Sequence, residues 1–125
     1  MDYGLDFCGV FTNYGRKSVD LFAPGVNIIS LFPENTYEKA DGTSFSCPVT
    51  VGVAALVWSY FPKLTSLELK DILIKSAQQP PKGKVYKPNI TSSKKSKIRF
   101  SKLSVSGGIV DAYQALTLAK HVLQK

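Results

Sequence analysis

Histidine, cysteine and long hydrophobic runs are scarce in this 125-residue sequence, and each scarcity excludes a class of protein. Two cysteines exclude a disulfide-rich scaffold and a zinc site built from four cysteines. The single histidine, His121, severely restricts metal binding and acid–base catalysis. The longest apolar run, residues 51–58, is much shorter than the roughly 20 residues that cross a bilayer. No basic and apolar leader opens the sequence, so no secretory signal is expected within it.

The composition allows one packed domain with an uneven charge. Apolar residues make up 44% of the chain, which is enough for a core, and the net charge is +7. Half of the basic residues and no acidic residue fall in residues 82–102, so the remainder is close to neutral. Such a run could bind nucleic acid or an anionic surface. A solvated basic surface loop between two helices is the favoured interpretation, and nucleic acid is not expected as a partner.

The hydrophobic pattern predicts an α/β fold. Residues 17–22 and 26–32 are strand-like runs on either side of a Pro-Gly turn. A helix of about 15 residues is expected with Ser44 near its first turn, Pro48 in that turn and apolar residues nearly all round, which indicates burial. Thr65 and Glu68 form a capping box that begins a second helix, ending at about Ser76. The third predicted helix covers residues 110–123.

The segment that carries chemistry is the turn into the first helix. Gly42 allows a sharp turn, and the hydroxyl of Ser44 then lies at the helix N-terminus. Free amides and the positive end of the helix dipole favour a developing anion there, which suits a nucleophilic serine. Taken alone, a Gly-Thr-Ser sequence is more often an ordinary helix cap.

The residues around this turn extend the pattern to a family motif. Gly42-Thr-Ser-Phe-Ser-Cys-Pro48, followed by Val51-Gly-Val-Ala-Ala-Leu56, resembles the serine-nucleophile motif of the subtilisin-like (subtilase) serine peptidases. Thr12-Asn-Tyr-Gly15 and Val19-Asp-Leu-Phe-Ala-Pro-Gly25 resemble segments that precede this motif in the family. Ser106-Gly-Gly-Ile-Val-Asp-Ala-Tyr113 is similar to the start of the family's closing helix. The resemblance covers about residues 10–120.

The resemblance implies both a fold and an activity. The fold is the C-terminal portion of a doubly wound, parallel-sheet domain, with residues 1–125 forming part of a subtilase catalytic domain. The activity is that of a serine endopeptidase acting on peptide or protein substrates, in a parent protein that is secreted or attached to the cell envelope. Ser44 matches the nucleophile and backbone oxyanion donor, and Gly42 and Thr43 match substrate-binding positions. The resemblance implies no metal and no cofactor.

The sequence also departs from the family pattern. Val49 replaces the usual histidine, Phe45 replaces the usual methionine, and no histidine precedes Ser44. The family order is Asp, His, then Ser. The Asp, the His and the oxyanion Asn would therefore come from the upstream part of the parent chain, and the 125 residues alone are expected to be inactive. The alternative is an inactive subtilase remnant that acts as a structural or interaction module.

Several other residues are considered as site residues and set aside. His121 is interpreted as a solvent-facing residue at a helix end, and Asp20 as a structural residue. Cys8 and Cys47 are expected to be free thiols, with a disulfide as the alternative. Nothing catalytic matches Asp2 or Asp6, and Asn89-Ile-Thr91 is only formally a glycosylation sequence.

Overall fold

A computed structural model describes residues 8–80, 83–88 and 96–124 of the chain as a mixed α/β structure. Asp2, Asp6 and Asn89-Ile-Thr91 lie outside the described residues. The α-helices within the described residues are α1 (Thr43–Tyr60), α2 (Ser66–Lys75) and α3 (Ala112–Leu123). The strands are β1 (Ile28–Phe32), β2 (Thr36–Ala40), β3 (Lys84–Tyr86) and β4 (Lys97–Arg99). The predicted α/β class is therefore confirmed.

The strands of the described residues form two antiparallel hairpins. β1 pairs with β2, and β3 pairs with β4. The parallel pairing seen in this part of the chain is an isolated bridge between Phe22 and Ile109. The doubly wound parallel sheet therefore stays a prediction.

The predicted strand over residues 17–22 is wrong except for its extended end. The Val19 and Asp20 carbonyls accept hydrogen bonds from Val105 and Ser106 at 2.7 and 2.9 Å, and the amide of Phe22 donates to Gly108 at 3.0 Å. These bonds connect residues 19–22 to a loop and not to a strand. The Ser-Gly-Gly sequence at residues 106–108 forms a turn instead of continuing as an extended segment.

Helix α1 begins where the sequence predicts, but it is not buried all round. Ser44 lies in its first turn and Val57 is buried, whereas Val51, Trp58 and Tyr60 are 58%, 43% and 69% exposed. Among the described elements, α2 and α3 pack against α1, and they cover only part of its apolar surface. The prediction of a buried helix is therefore wrong for this chain. Within the described residues, every helix is too short or too polar to span a membrane.

The position of Pro48 also differs from the prediction. The helix begins at Thr43, so Pro48 lies in its second turn rather than in its first. Proline has no amide hydrogen, and the carbonyl of Ser44 therefore lacks the donor that residue i+4 normally supplies. The helix therefore has one fewer regular backbone hydrogen bond in its first turn.

The second and third helices agree closely with the sequence. The hydroxyl oxygen of Thr65 accepts a hydrogen bond from the Glu68 amide at 3.3 Å, and Glu68 accepts one from the Thr65 amide at 2.8 Å. The bond from the Thr65 amide, followed by that from its hydroxyl, lowers the pKa of Glu68. Helix α3 begins at Ala112 under an Asp111 cap. The three helices enclose the main core, composed of Val57, Leu64, Leu69, Ile72, Leu73, Ala115 and Ala119.

The basic segment is more regular than predicted. Residues 84–86 and 97–99 form β3 and β4, while residue 82 and residues 89–95 lie outside the described part of the chain. Val85 and Ile98 pair across the hairpin and pack with Phe100 and Leu103 in a second core. These apolar residues alternate with cations, and the alternation fits a strand with one buried side.

Gly52 offers a test of the exposed surface of α1. It lies inside the helix, and a methyl group added there meets no atom within 4 Å. We expect Gly52→Ala to raise the free energy of unfolding of the chain by about 0.5–1 kcal/mol, because alanine loses less backbone entropy in a helix. Urea unfolding followed by circular dichroism measures this change. A decrease in stability would show that other residues already pack against this surface of α1.

Candidate functional site

Ser44 is presented at the N-terminus of α1. It is the second residue of the helix, and its side chain is exposed. The first amides of a helix have no carbonyl partner within the helix, and the helix dipole adds a partial positive charge at this end. The hydroxyl of Ser44 and its own amide therefore share a location that stabilises negative charge.

The turn before Ser44 depends on Gly42. Its backbone angles, φ 150° and ψ 156°, belong to a region that is almost exclusive to glycine. The amide of Gly42 donates to the Gly25 carbonyl at 2.7 Å, and its carbonyl accepts from Phe45 at 3.1 Å. Gly42 therefore allows the chain to change direction within one residue and to enter the helix at once.

Three further hydrogen bonds brace this turn from two neighbouring segments. The side-chain amide of Asn13 donates to the Thr43 hydroxyl at 3.1 Å. The hydroxyl of Ser46 donates to the Ala23 carbonyl at 3.1 Å. The amide of Asn27 donates to the Asp41 carboxylate at 2.6 Å. Sequence reasoning used these flanking segments only to identify the family, and it missed that they hold the turn in place.

Gly25 allows the close approach of the two segments. A side chain at this position would place its Cβ 2.9 Å from the Gly42 carbonyl oxygen. A contact under 3.0 Å with backbone cannot be relieved by rotating a side chain, so the Ala-Pro-Gly turn needs glycine at its last position. The Pro-Gly pair in the sequence predicts a turn, but it does not show which segment packs against that turn.

The other candidate residues lie apart from Ser44 in the network of contacts. Within residues 8–80, 83–88 and 96–124, no side chain makes a hydrogen bond with the Ser44 hydroxyl. His121 is exposed in the last turn of α3, and Asp20 forms an ion pair with Lys70 at 2.9 Å. In the same part of the chain, no three His, Cys, Asp or Glu residues are grouped as metal ligands.

An apolar cavity of about 520 Å³ lies beside the start of α1. Its lining includes Thr43, Ser46 and Cys47 of α1 together with Cys8 and Phe22. Both cysteines are free thiols. The turn that carries Ser44 is therefore adjacent to a volume that the described residues leave open.

The two thiols are expected to react at different rates. Burial raises the pKa of Cys8 to about 11, so at pH 8 only about 0.1% of it is thiolate, which is the reactive form. Cys47 is exposed. We expect iodoacetamide at pH 8 to modify Cys47 first, with Cys8 accelerating as the pH rises towards 11. Mass spectrometry of Cys8→Ser and Cys47→Ser variants measures this order, and faster modification of Cys8 would contradict it.

A family model described as "Subtilase family" matches residues 8–107 of the chain. Subtilisin-like protease 3 of Plasmodium falciparum is 35% identical over 112 residues, which are 90% of this chain and 12% of that protein. The cell wall-associated protease of Bacillus subtilis is 38% identical over 73 residues, 58% of this chain and 8% of its own length. The chain thus spans a small fraction of these relatives.

A solved structure agrees with the sequence relatives. A chain from the study "Structural basis of subtilase cytotoxin SubAB assembly" superposes with a TM-score of 0.63 and 28% sequence identity. The superposition covers 83% of this chain and 27% of the matched chain. The similarity therefore extends over most of the described fold.

Proposed function

The chain belongs to the subtilase family, and from that membership we propose that it carries the nucleophile of a serine-type endopeptidase. The Ser44 oxygen attacks the carbonyl carbon of a peptide bond and passes its proton to a general base. The amine product leaves with a proton, and an acyl-enzyme ester remains on Ser44. Water then hydrolyses the ester and regenerates the serine.

The observation that carries this proposal is the position of Ser44, an exposed residue that is the second of α1 and lies two positions after the glycine of the turn. A tetrahedral intermediate places negative charge on the former carbonyl oxygen, and a preorganised amide next to the nucleophile can bind that charge. The first-turn amide of Ser44 supports this role because it has no helical acceptor. We assign it as one oxyanion donor.

Gly42 and Thr43 are proposed to line the substrate-binding cleft. They immediately precede the nucleophile, and Thr43 is held by Asn13 while Gly42 is held by Gly25. A turn braced on both sides keeps the serine in one geometry, and such positioning accounts for much of enzymatic rate enhancement. Neither residue needs to react for this contribution.

The remaining catalytic groups are proposed to come from another part of the parent chain. The family order places the Asp and the His before the Ser, and the only histidine here follows Ser44. Subtilisin-like protease 3 and the cell wall-associated protease are both several times longer than the aligned segment. We propose that this chain is the C-terminal part of the catalytic domain, and that upstream strands complete a parallel sheet beside the exposed side of α1.

The same proposal covers the location of the parent protein and the activity of the isolated chain. One relative is named as a cell wall-associated protease, which supports a secreted or envelope location for the parent protein. The 125-residue chain alone is proposed to be inactive because its sequence has no histidine before Ser44 to act as the general base. An inactive subtilase remnant with a structural or interaction role is the second candidate, and labelling of the parent chain distinguishes the two.

Active-site labelling tests the proposal. A fluorophosphonate probe reacts with a serine only when a base activates it, so the 125-residue chain is expected to stay unlabelled. The parent chain with its upstream residues is expected to label, with the adduct on Ser44 by mass spectrometry. An adduct on another serine would refute the nucleophile assignment. No labelling of a folded parent would support the inactive remnant instead.

A further inference from the structure

The exposed side of the β3–β4 hairpin is strongly basic. In its register Lys84 lies opposite Arg99, and Tyr86 lies opposite Lys97. Paired residues of an antiparallel hairpin project to the same side, and alternate residues of each strand share that side. Lys87, directly after β3, and Lys102, three residues after β4, are also exposed, but they lie outside the two strands. We call the five exposed cations Lys84, Lys87, Lys97, Arg99 and Lys102 the basic surface.

The basic surface keeps its charge without compensation from the described residues. The ion pairs in this part of the chain are Lys70–Asp20 and Lys75–Asp71, and neither includes a residue of the basic surface. Like charges directly across a hairpin destabilise it. The pairing of Lys84 with Arg99 therefore costs stability, and binding of a negatively charged partner would offset this cost.

The cations are held in place by the structure beneath and beside them. On the other side of the hairpin, Val85 and Ile98 pack into the second core. The Lys97 ammonium lies 5.8 Å from the centre of the Tyr86 ring, and the Lys87 ammonium lies 5.5 Å from the centre of the Tyr14 ring. Cation–π contacts of this kind restrict the side chains. The basic surface is therefore partly preorganised for a ligand.

The basic surface and the turn that carries Ser44 contact two residues that are adjacent in the sequence, Tyr14 and Asn13. Lys87 lies over Tyr14, and the preceding residue, Asn13, donates to Thr43 next to the nucleophile. The Cα atoms of successive residues are about 3.8 Å apart. Lys87 therefore connects the basic surface to the turn that carries Ser44, and the residues that flank a cleaved bond can reach the basic surface at this point.

We propose that the basic surface is an exosite for an acidic segment of the protein substrate. Five cations that form no ion pair within the described residues match a run of Asp and Glu residues by charge, and the choice of a peptide rests on the proposed peptidase function. Single-stranded nucleic acid fits the surface less well. Its bases stack on open aromatic rings, whereas Tyr14 and Tyr86 each have a lysine over the ring.

Binding of a fluorescein-labelled hexaglutamate peptide to the 125-residue chain tests the proposal by anisotropy. We expect the triple variant Lys84→Gln/Lys97→Gln/Arg99→Gln to bind at least about tenfold more weakly, because three charge pairs with the peptide are lost and each exposed pair contributes up to about fivefold in affinity. The matched control is Lys39→Gln/Lys63→Gln/Lys120→Gln, which removes the same charge from exposed positions elsewhere and is expected to weaken binding less than threefold. Binding is expected to fall as salt rises from 50 to 500 mM.

Several results would overturn the exosite. Equal losses in the two triple variants would show attraction by net charge alone, and equal binding of hexaglutamine would show that charge is not recognised. Tighter binding of an oligothymidine with six phosphates would assign the surface to nucleic acid. The variant Lys84→Arg/Lys97→Arg keeps the charge and is expected to keep the affinity. Its failure to bind, with circular dichroism unchanged, would also contradict the proposal.

A photocrosslinking experiment separates the exosite from the nucleophile. A benzophenone placed three residues from the hexaglutamate block is expected to crosslink within residues 11–15 or 41–45. Crosslinks confined to distant helices would contradict a substrate-binding role. Because Ser44→Ala leaves the basic surface intact, hexaglutamate binding is expected to be unchanged in that variant. An inactive parent that still binds hexaglutamate would refute the peptidase function alone.

Discussion

Ser44→Ala is expected to lower peptide hydrolysis by the parent chain by about 10⁴-fold or more. The oxygen that forms the acyl-enzyme is lost, while the helix amides and the braced turn remain. Turnover of a fluorogenic peptide, measured with burst-phase kinetics, gives kcat and shows whether an acyl-enzyme accumulates. The expected effect lies in kcat rather than KM, because the residues that contact substrate are unchanged.

The matched control for this substitution is Ser59→Ala. Ser59 is an exposed serine near the end of the same helix, and its hydroxyl donates to the Leu56 carbonyl at 2.8 Å. Its removal is expected to change turnover by less than twofold, because it lies about four turns from Ser44. If Ser44→Ala and Ser59→Ala had equal activity, the nucleophile assignment would be wrong.

Gly107→Ala is expected to destabilise the chain by about 2–5 kcal/mol. Two costs add at this position. Gly107 has φ 64°, where a residue with a side chain costs about 1–2 kcal/mol. An added Cβ would also lie 2.8 Å from both the Cα and the carbonyl oxygen of Ser101, and such overpacking costs about 1–3 kcal/mol more. The total is a large part of the stability of a domain this small.

Gly52→Ala is the natural control, because the same chemical change is expected there to have the opposite sign. The free energy of unfolding by urea, followed by circular dichroism, compares both variants with the unchanged chain. Gly107 also anchors the turn through its amide, which donates to the buried Ser104 hydroxyl at 3.0 Å. A loss below about 1 kcal/mol would show that the turn can rearrange around Ser101.

The same pair of variants distinguishes the isolated chain from the parent. We expect Gly107→Ala to be harmful in both, because its contacts lie within the described residues. Gly52→Ala is expected to stabilise the isolated chain and to destabilise the parent, if upstream strands pack against the exposed side of α1. Equal effects of Gly52→Ala in the two proteins would indicate that this side of α1 stays exposed.

The sequence alone determined the local features of this protein. The capping box of Thr65 and Glu68, the start of α1 at the Gly-Thr-Ser turn and the positions of α2 and α3 were all predicted. Each depends on interactions between residues within one or two helical turns, and the spacing of residues in the sequence predicts such interactions directly. The family was likewise indicated by a contiguous motif.

Only the tertiary structure decided which surfaces are buried and which segments meet. An apolar helix is predicted to be buried, but its burial depends on which elements pack against it. In this structure α2 and α3 cover only part of α1. The strand β2 was missed because its polar residues, paired with β1, have no buried side to give an alternating pattern. The bonds of Asn13 and Gly25 to the nucleophile turn join residues that are 30 and 17 positions apart, respectively, and such non-local contacts leave no periodicity in the sequence.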